Sequence, residues 1–496
     1  MDQQLNAGVF LRLVAAGTPL LLVVTSNEPR SEALIARALQ QGFKDMPEPR
    51  TWTCTHGFAG QQDTADPARA LCWAAAQQGR GVYLFKDLHW FWQDNPYIQR
   101  QLKEFAGSRR NPGKMLILFC PAIDIPPTLQ PLFKVLRHAL PDRAEIRSYL
   151  QACRDKDSAL GAMIAEDQHL NRLILAAQGL DLRDIDQALR LGRVARDAGF
   201  EQIREALFQD KKQMLARTGI MEFVDNPVDA NQVGGMENLK HWMEKREQAF
   251  GAAELAAGHN LPKGVLMMGI SGCGKSLFVK AIAARWHLPL VRLDMATVYE
   301  GTYGSPESSL RRACALAEAL SPCVLWIDEI EAGISNQGFK SEGGAASRVL
   351  GYFLTWMQEK QAPVFVAATA NAIELLPAEM LRKGRFDEIF YISLPSLDER
   401  EEIFTIHLQR RGFQPSDFSP SMLAHSSKGF SGAEIEQAVA SGQFEALAQG
   451  RPLAQQDIME AIGRTVPISV TMAEQIKKIE AWAFKRAVPA SKQASR

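Results

Sequence analysis

The run Gly269-Ile270-Ser271-Gly272-Cys273-Gly274-Lys275-Ser276 constrains this chain more than any other stretch. It follows the apolar Gly264-Val265-Leu266-Met267-Met268 and precedes Leu277-Phe278-Val279-Lys280-Ala281-Ile282-Ala283-Ala284, which read as a buried strand and a helix. A strand that ends in a glycine-rich turn and resumes as a helix is the context of a phosphate-binding loop. Glycines let backbone N–H groups point inward at phosphate oxygens, and the helix start adds the positive end of its dipole. Gly269, Ser271, Gly272, Cys273, Gly274 and Leu277 are therefore expected to line the phosphates. Lys275 is expected to reach the β- and γ-phosphates, and the Ser276 hydroxyl to ligate Mg²⁺.

At 496 residues the chain has room for roughly three domains of ordinary size, and 46% apolar with 23% charged residues marks it as globular. Lys+Arg and Asp+Glu balance at 56 each, so bulk charge exerts no general pull towards nucleic acid or anionic lipid. The 7 cysteines form no CxxC pair and are odd in number, which points to a reducing, cytoplasmic setting. Most should be small buried hydrophobes, with Cys273 exposed in the loop. The apolar run over 9–24 is broken by Arg12, Gly17 and Pro19 and is too short for a membrane span. The first residues lack the basic region of a signal peptide.

Strand-like runs over 19–24, 81–85 and 114–119, with a helical pattern over 31–40, predict an α/β unit with a parallel sheet over 1–142. A small helical layer over 143–217 and a linker over 218–232 lead to a second α/β core over 233–395. Its strands are expected at 265–268, 288–293, 323–327, 364–368 and 389–392. A helical lid over 396–470 follows, then a C-terminal helix and tail over 471–496, frayed from Lys485 onward.

The halves repeat. Gly179-Leu180-Asp181-Leu182-Arg183-Asp184-Ile185-Asp186-Gln187-Ala188-Leu189 matches Gly429-Phe430-Ser431-Gly432-Ala433-Glu434-Ile435-Glu436-Gln437-Ala438-Val439 in its Gly, Ile, Gln, Ala and acidic positions. Leu140-Pro141 before Glu145-Ile146 likewise echoes Leu394-Pro395 before Glu402-Ile403. Only the second copy keeps the chemistry. The first has Ser26-Asn27-Glu28-Pro29-Arg30-Ser31 at the loop position, with no glycine and with Glu28 set to repel phosphate. Asp87 is expected to match Asp328, with Leu88 in place of the next acid. The first copy is expected neither to bind ATP tightly nor to hydrolyse it.

Cys323-Val324-Leu325-Trp326-Ile327-Asp328-Glu329 is an apolar strand ending in two carboxylates. Beside a phosphate loop, Asp328 can hold Mg²⁺ through its water shell and Glu329 can polarise a water in line with the γ-phosphate. The next strand, Val364-Phe365-Val366-Ala367-Ala368-Thr369-Ala370-Asn371, ends in an amide that can orient that water, or can simply form a turn. Leu381-Arg382-Lys383-Gly384-Arg385-Phe386-Asp387 then suggests two arginine fingers, Arg382 and Arg385, directed at a neighbouring subunit's nucleotide.

Together with Val233-Gly234-Gly235-Met236-Glu237-Asn238-Leu239-Lys240, these motifs resemble those of AAA-type (AAA+) P-loop ATPases. The wording Ala-Thr-Ala-Asn, Arg-Lys-Gly-Arg-Phe-Asp-Glu-Ile-Phe and Gly-Ala-Glu-Ile-Glu-Gln is most similar to the Ycf-type AAA ATPases of cyanobacteria, plastids and other bacteria. The strong match covers about 231 to 445, and the first half resembles that family's degenerate N-terminal region more loosely. The resemblance implies ATP and Mg²⁺ as cofactors and a homo-oligomeric ring, a hexamer. It implies hydrolysis to ADP and phosphate, coupled to remodelling of a protein partner recruited by the first copy. The alternative is a slow nucleotide-dependent scaffold or switch. Val233, Gly234, Gly432 and Ala433 would pack on adenine, with His407 near the ribose unless it is a surface histidine.

Other stretches qualify that reading. In Gly301-Thr302-Tyr303-Gly304 the pore-facing aromatic is shifted by one place, which weakens the expectation of threading. Residues 333–347 read as a glycine-rich mobile loop, and Glu307 with Arg311 and Arg312 as a charged helix at a subunit boundary or a solvated face. Arg109-Arg110-Asn111-Pro112-Gly113-Lys114 is a small basic turn without a reader motif, so a nucleic-acid motor is disfavoured.

Overall fold

The computed structural model describes residues 3–492 apart from 44, 62, 94, 108–112, 122, 124, 157–159, 162–165, 195–198, 225–231, 251–260, 301–304, 333–344, 373–374, 378 and 383. The chain divides into two compact units, Met1–Pro141 and Asp142–Arg496.

The first unit holds strands β1 (Gln3–Gln4), β2 (Leu20–Val24), β3 (Arg50–Thr53), β4 (Gly57–Phe58), β5 (Gly81–Lys86), β6 (Lys114–Cys120) and β7 (Lys134–Arg137). They form one sheet in the order β1-β7-β2-β6-β5-β3-β4. Every pairing is parallel except β3 with β4. β2 and β6 are buried along their whole length, as central parallel strands covered on both faces must be. Alternation divides β2 between two cores: Leu20, Leu22 and Val24 face one, Leu21 and Val23 the other.

The second sheet, in the second unit, comprises β8 (Met221–Phe223), β9 (Gly264–Gly269), β10 (Leu290–Leu293), β11 (Cys323–Ile327), β12 (Val364–Ala370), β13 (Glu388–Ile392) and β14 (Val488–Pro489). Its order is β14-β13-β9-β12-β11-β10-β8. The run β13-β9-β12-β11-β10 repeats β7-β2-β6-β5-β3 strand for strand. In each sheet one edge carries an added antiparallel strand, β8 or β4, and the other an added parallel strand, β14 or β1. The internal repeat is thus visible in the topology.

Register refines the alignment of the two copies. Val24 pairs with Cys120 and Phe85 with Leu118, as Met268 pairs with Ala370 and Ile327 with Ala368. Lys86 therefore corresponds to Asp328 and Asp87 to Glu329, one place from the sequence expectation. Both chains turn there through a left-handed residue, Asp87 at φ 59° and Glu329 at φ 46°.

The helical layer preceding β8 carries the other half of the repeat. Gly179 and Gly429 adopt φ 84° and 82° ahead of helices α1 (Leu182–Val194) and α2 (Gly432–Ala448). This layer lies in the second unit and packs on its core. A side chain at Gly179 would come within 2.7 Å of the Ala319 carbonyl, and Phe208 meets Phe223 of β8 with ring centroids 5.2 Å apart.

The C-terminal tail is not frayed as far as Lys492. Residues 488–489 pair with β13, Ala490 is 1% exposed, and its amide donates to the Tyr391 carbonyl at 2.8 Å. Nothing local in Val488-Pro489-Ala490-Ser491 marks a strand; the open edge of β13 creates it.

Candidate active site

Helix α3 (Lys275–Arg285) begins where the phosphate loop ends, so its first amides face the cavity above the C-terminal ends of β9, β11 and β12. That cavity has a volume of about 310 Å³. Gly272 is at φ 82°, and a Cβ there would stand 3.1 Å from Ala433 and from the Ser431 hydroxyl, so only glycine lets the lid close on the loop. The lid contact is a hydrogen bond from Ala433 N to the Gly272 carbonyl, 3.1 Å.

Lys275 is buried and its ammonium donates to the carbonyls of Gly269 and Ile270 at 2.8 and 2.7 Å. Burial lowers its pKa, against the pull of Glu331, Asp328 and Glu329. Cys273 corrects the expectation of an exposed thiol. It is 6% exposed in the core beneath the loop, and burial pushes its thiol up to about 11. The exposed cysteines are Cys54 and Cys72.

The acidic strand end is held by a chain of hydrogen bonds. Ser276 Oγ donates to Asp328 Oδ1 at 3.3 Å, and Thr369 Oγ1 donates to the same oxygen at 2.6 Å. Thr369 Oγ1 in turn accepts from Glu329 N at 2.9 Å, which stabilises the left-handed turn at Glu329. Such backbone strain in a non-glycine residue costs on the order of 1–3 kcal/mol and persists where the surroundings hold it. Asn371 Nδ2 donates to Glu329 Oε1 at 2.7 Å.

Sequence reasoning missed Glu331. Its carboxylate is 5% exposed and its Oε1 accepts from the backbone N–H groups of Asn371 and Ala372 at 2.5 and 3.1 Å. Burial raises its pKa, partly offset by those bonds. The signal was present as a third acid, two places after Glu329.

Across the cavity stand Val233, Gly234 and Met236 on one wall, and His407, Gly432, Ala433 and Leu277 on the others. Helix α4 (Leu397–Arg410) brings Glu399 and Glu402 to the strip formed by residues 233–236: Gly235 N donates to Glu402 Oε2 at 2.8 Å, and Met236 N to Glu399 Oε1 at 3.4 Å. Burial lowers the His407 pKa, with Glu436 opposing and Arg410 and Arg411 assisting. Arg410 donates to Gln232 Oε1 at 2.7 Å, closing the strip against the lid. Glu399, Arg410 and Ser491 also line this cavity and carried no signal in the sequence motifs, while Glu436 lies within the Gly-Ala-Glu-Ile-Glu-Gln motif but was given no role there.

Arg382 and Arg385 do not line the cavity of their own chain. Arg385 Nη1 donates to the Glu379 carbonyl. Glu307 pairs with Arg348, and Arg311 lies 4.5 Å over the Tyr352 ring. The expectations for Tyr303, for the glycine-rich loop and for most of the basic turn rest on residues 301–304, 333–344 and 108–112, outside the described residues.

The first unit has no equivalent loop. Two residues, Ser26 and Asn27, separate Thr25 from helix-starting Glu28, where five separate Gly269 from Lys275. Glu28 thus takes the place of Lys275, and Lys86 that of Asp328. The exchanged charges pair, with Lys86 Nζ 3.4 Å from Glu28 and 3.0 Å from Glu32. The helix N-terminus is closed by the Asn27 side chain, which accepts from Arg30 N at 3.0 Å.

Residues 265–394 match the family model described as ATPase family associated with various cellular activities (AAA). Residues 8–138 match the model for the SpoVK-like AAA ATPase N-terminal domain. The chain is 35% identical over 483 residues to an AAA domain-containing protein ycf46 of Guillardia theta, covering 96% of this chain and 94% of that one. With the ycf46 protein of Gracilaria tenuistipitata var. liui it is 36% identical over 482 residues, covering 95% and 96%. An ATP-dependent zinc metalloprotease FtsH of Parabacteroides distasonis is 31% identical over 250 residues, 49% of this chain and 36% of that protein. Among the described residues no helix is long and apolar enough to cross a membrane.

Proposed function

The chain belongs to the AAA ATPases, with the ycf46 AAA domain-containing proteins and the P-loop fold of that family, and from this premise we propose a specific enzyme. It hydrolyses ATP to ADP and phosphate in a ring of identical chains, a hexamer, and couples the cycle to remodelling of a protein partner held by the first unit. The observation that carries this reading is the linked set Ser276–Asp328–Thr369–Glu329–Asn371 at the cavity.

Lys275 and the loop amides bind the phosphates, Glu329 takes the proton of the attacking water, and Asn371 places that water. Ser276 Oγ and the Asp328 carboxylate are the hard oxygen donors that suit Mg²⁺. When bound, Mg²⁺ neutralises charge on the β- and γ-phosphates. Arg382 and Arg385 supply positive charge to the neighbouring copy's site. The bond from Ala433 to Gly272 makes the lid follow the phosphate loop.

A slow switch is the second reading, favoured by the Asn371 amide seated on the Glu329 carboxylate, which occupies an oxygen that would otherwise face the attacking water. Glu329→Gln separates the roles: it should bind ATP and assemble without turnover. Turnover at the wild-type rate removes Glu329 from the mechanism. The ratio of phosphate released to partner processed then distinguishes a motor from a switch.

A further inference from the structure

We infer that the C-terminal residues 488–491 form part of the nucleotide site, with Ser491 and Glu399 as positioning residues for its base-side wall. This rests on the reading of the cavity as a nucleotide site and names a determinant of its affinity. The segment is anchored on two sides. β14 extends the sheet beside β13, with Val488 opposite Phe390 and Pro489 opposite Tyr391. On its other side the Ala490 carbonyl accepts from Asn238 N and Leu239 N at 2.9 and 3.2 Å. Those amides begin the helix Glu237–Glu247 that follows the strip, and would otherwise lack helical partners. Asn238 Nδ2 donates to the carbonyls of Pro489 and Ser491, both at 3.1 Å.

Held this way, the chain delivers Ser491 to the cavity wall. Its hydroxyl donates to Glu399 Oε1, the oxygen that also accepts from Met236 N. The other carboxylate oxygen accepts from Ser396 N at 2.8 Å, in the capping box that starts α4. One carboxylate therefore joins the strip, the lid and the tail. The fit is close: a Cβ on Gly235, at φ 69°, would stand 2.2 Å from Glu399 Oε1. A base lying between strip and lid contacts a wall whose position is set by this junction. Binding and tail docking are then linked in both directions: nucleotide holds the tail down, and release of the tail weakens nucleotide.

The test uses the full chain and a fluorescent ATP analogue with Mg²⁺, titrated into wild type, Lys275→Ala, Ser491→Ala and Ser491→Thr. Loss of a hydroxyl-to-carboxylate bond should raise the Kd of Ser491→Ala roughly fivefold, while Ser491→Thr restores most of it. In turnover, KM should rise by a larger factor than kcat falls. Hydrogen exchange of the Ala490 amide in wild type should slow on saturation with nucleotide. A Ser491→Ala protein that binds as tightly as wild type overturns the assignment, even if its Tm falls, because the tail is then only structural. Ala490 exchange that ignores saturating nucleotide overturns it equally. If wild type and Lys275→Ala bind equally weakly, the nucleotide-site reading fails. If Lys275→Ala alone is impaired, the tail assignment alone fails.

Discussion

Replacing Glu331 tests whether the Asn371 amide, proposed to place the attacking water, is set by a buried acid. In Glu331→Ala the N–H groups of Asn371 and Ala372, now bonded at 2.5 and 3.1 Å, lose their acceptor. A fully buried donor left unsatisfied costs about 1–3 kcal/mol, but Asn371 and Ala372 are half-buried and water can reach part of what the carboxylate leaves. With the relief from burying a carboxylate, the net loss should be about 1–2 kcal/mol in the urea unfolding of the second unit. The effect on rate follows from geometry. Asn371 Nδ2 meets Glu329 at 2.7 Å only while its backbone is held, and a displacement of about 1 Å at such a group can cost on the order of a hundredfold. Glu331→Gln keeps an acceptor oxygen for both amides, so it should retain stability within about 1 kcal/mol and most of the turnover. The assays are urea denaturation and phosphate release at saturating ATP. The reasoning is refuted if Glu331→Ala turns over like wild type, or if Glu331→Gln is as impaired as Glu331→Ala.

Three further outcomes follow. Gly235→Ala should raise KM for ATP, because alanine at φ 69° is strained by about 1 kcal/mol and its Cβ meets Glu399 Oε1 at 2.2 Å; an unchanged KM would show that the strip can move freely. Lys211 is buried, with its pKa pushed down to about 8 from 10.5 by desolvation, so the folded state holds fewer protons than the unfolded one between those values and stability should rise with pH there. In Lys211→Met that slope should shrink to the share of Lys360, which burial also pushes down to about 8, and the Tm at pH 7 should rise, as thermal scans from pH 7 to 10.5 would show. Equilibrium binding to the full chain should saturate at about one ATP per subunit and disappear in Lys275→Ala, since in the first unit Glu28 and Lys86 occupy the places of Lys275 and Asp328; a residual site in Lys275→Ala would show that the first copy also binds.

What was legible in the sequence was local. The phosphate loop with Asp328 and Glu329 announces itself because consecutive residues fix a strand end, a turn and a helix start. The central strands were found because burial on both faces makes them continuous apolar runs. Glu331 escaped because its role depends on a partner forty residues away, just past the end of the neighbouring strand. Glu399 and Ser491 are separated by 92 residues, and no spacing rule connects them. The tail was misread for the same reason, since a two-residue edge strand owes its conformation to β13. Cys273 was misplaced by treating a loop as exposed throughout, whereas a backbone that turns its amides outward sends a side chain back into the core. The one-place error at Lys86 and Asp87 is a register error, which only strand pairing corrects.

The central claim is an ATP site completed by a second copy, and subunit complementation tests it most directly. Turnover per subunit is measured against protein concentration for wild type, Arg385→Ala, Glu329→Gln and an equimolar mixture of the two variants. Wild-type turnover per subunit should climb with concentration, and each variant alone should be nearly inactive. The mixture should recover activity, because Glu329 of one variant and Arg385 of the other can meet at a shared site. Wild-type turnover that is flat with concentration, with Arg385→Ala as active as wild type, would contradict the account and place the whole reaction within a single chain.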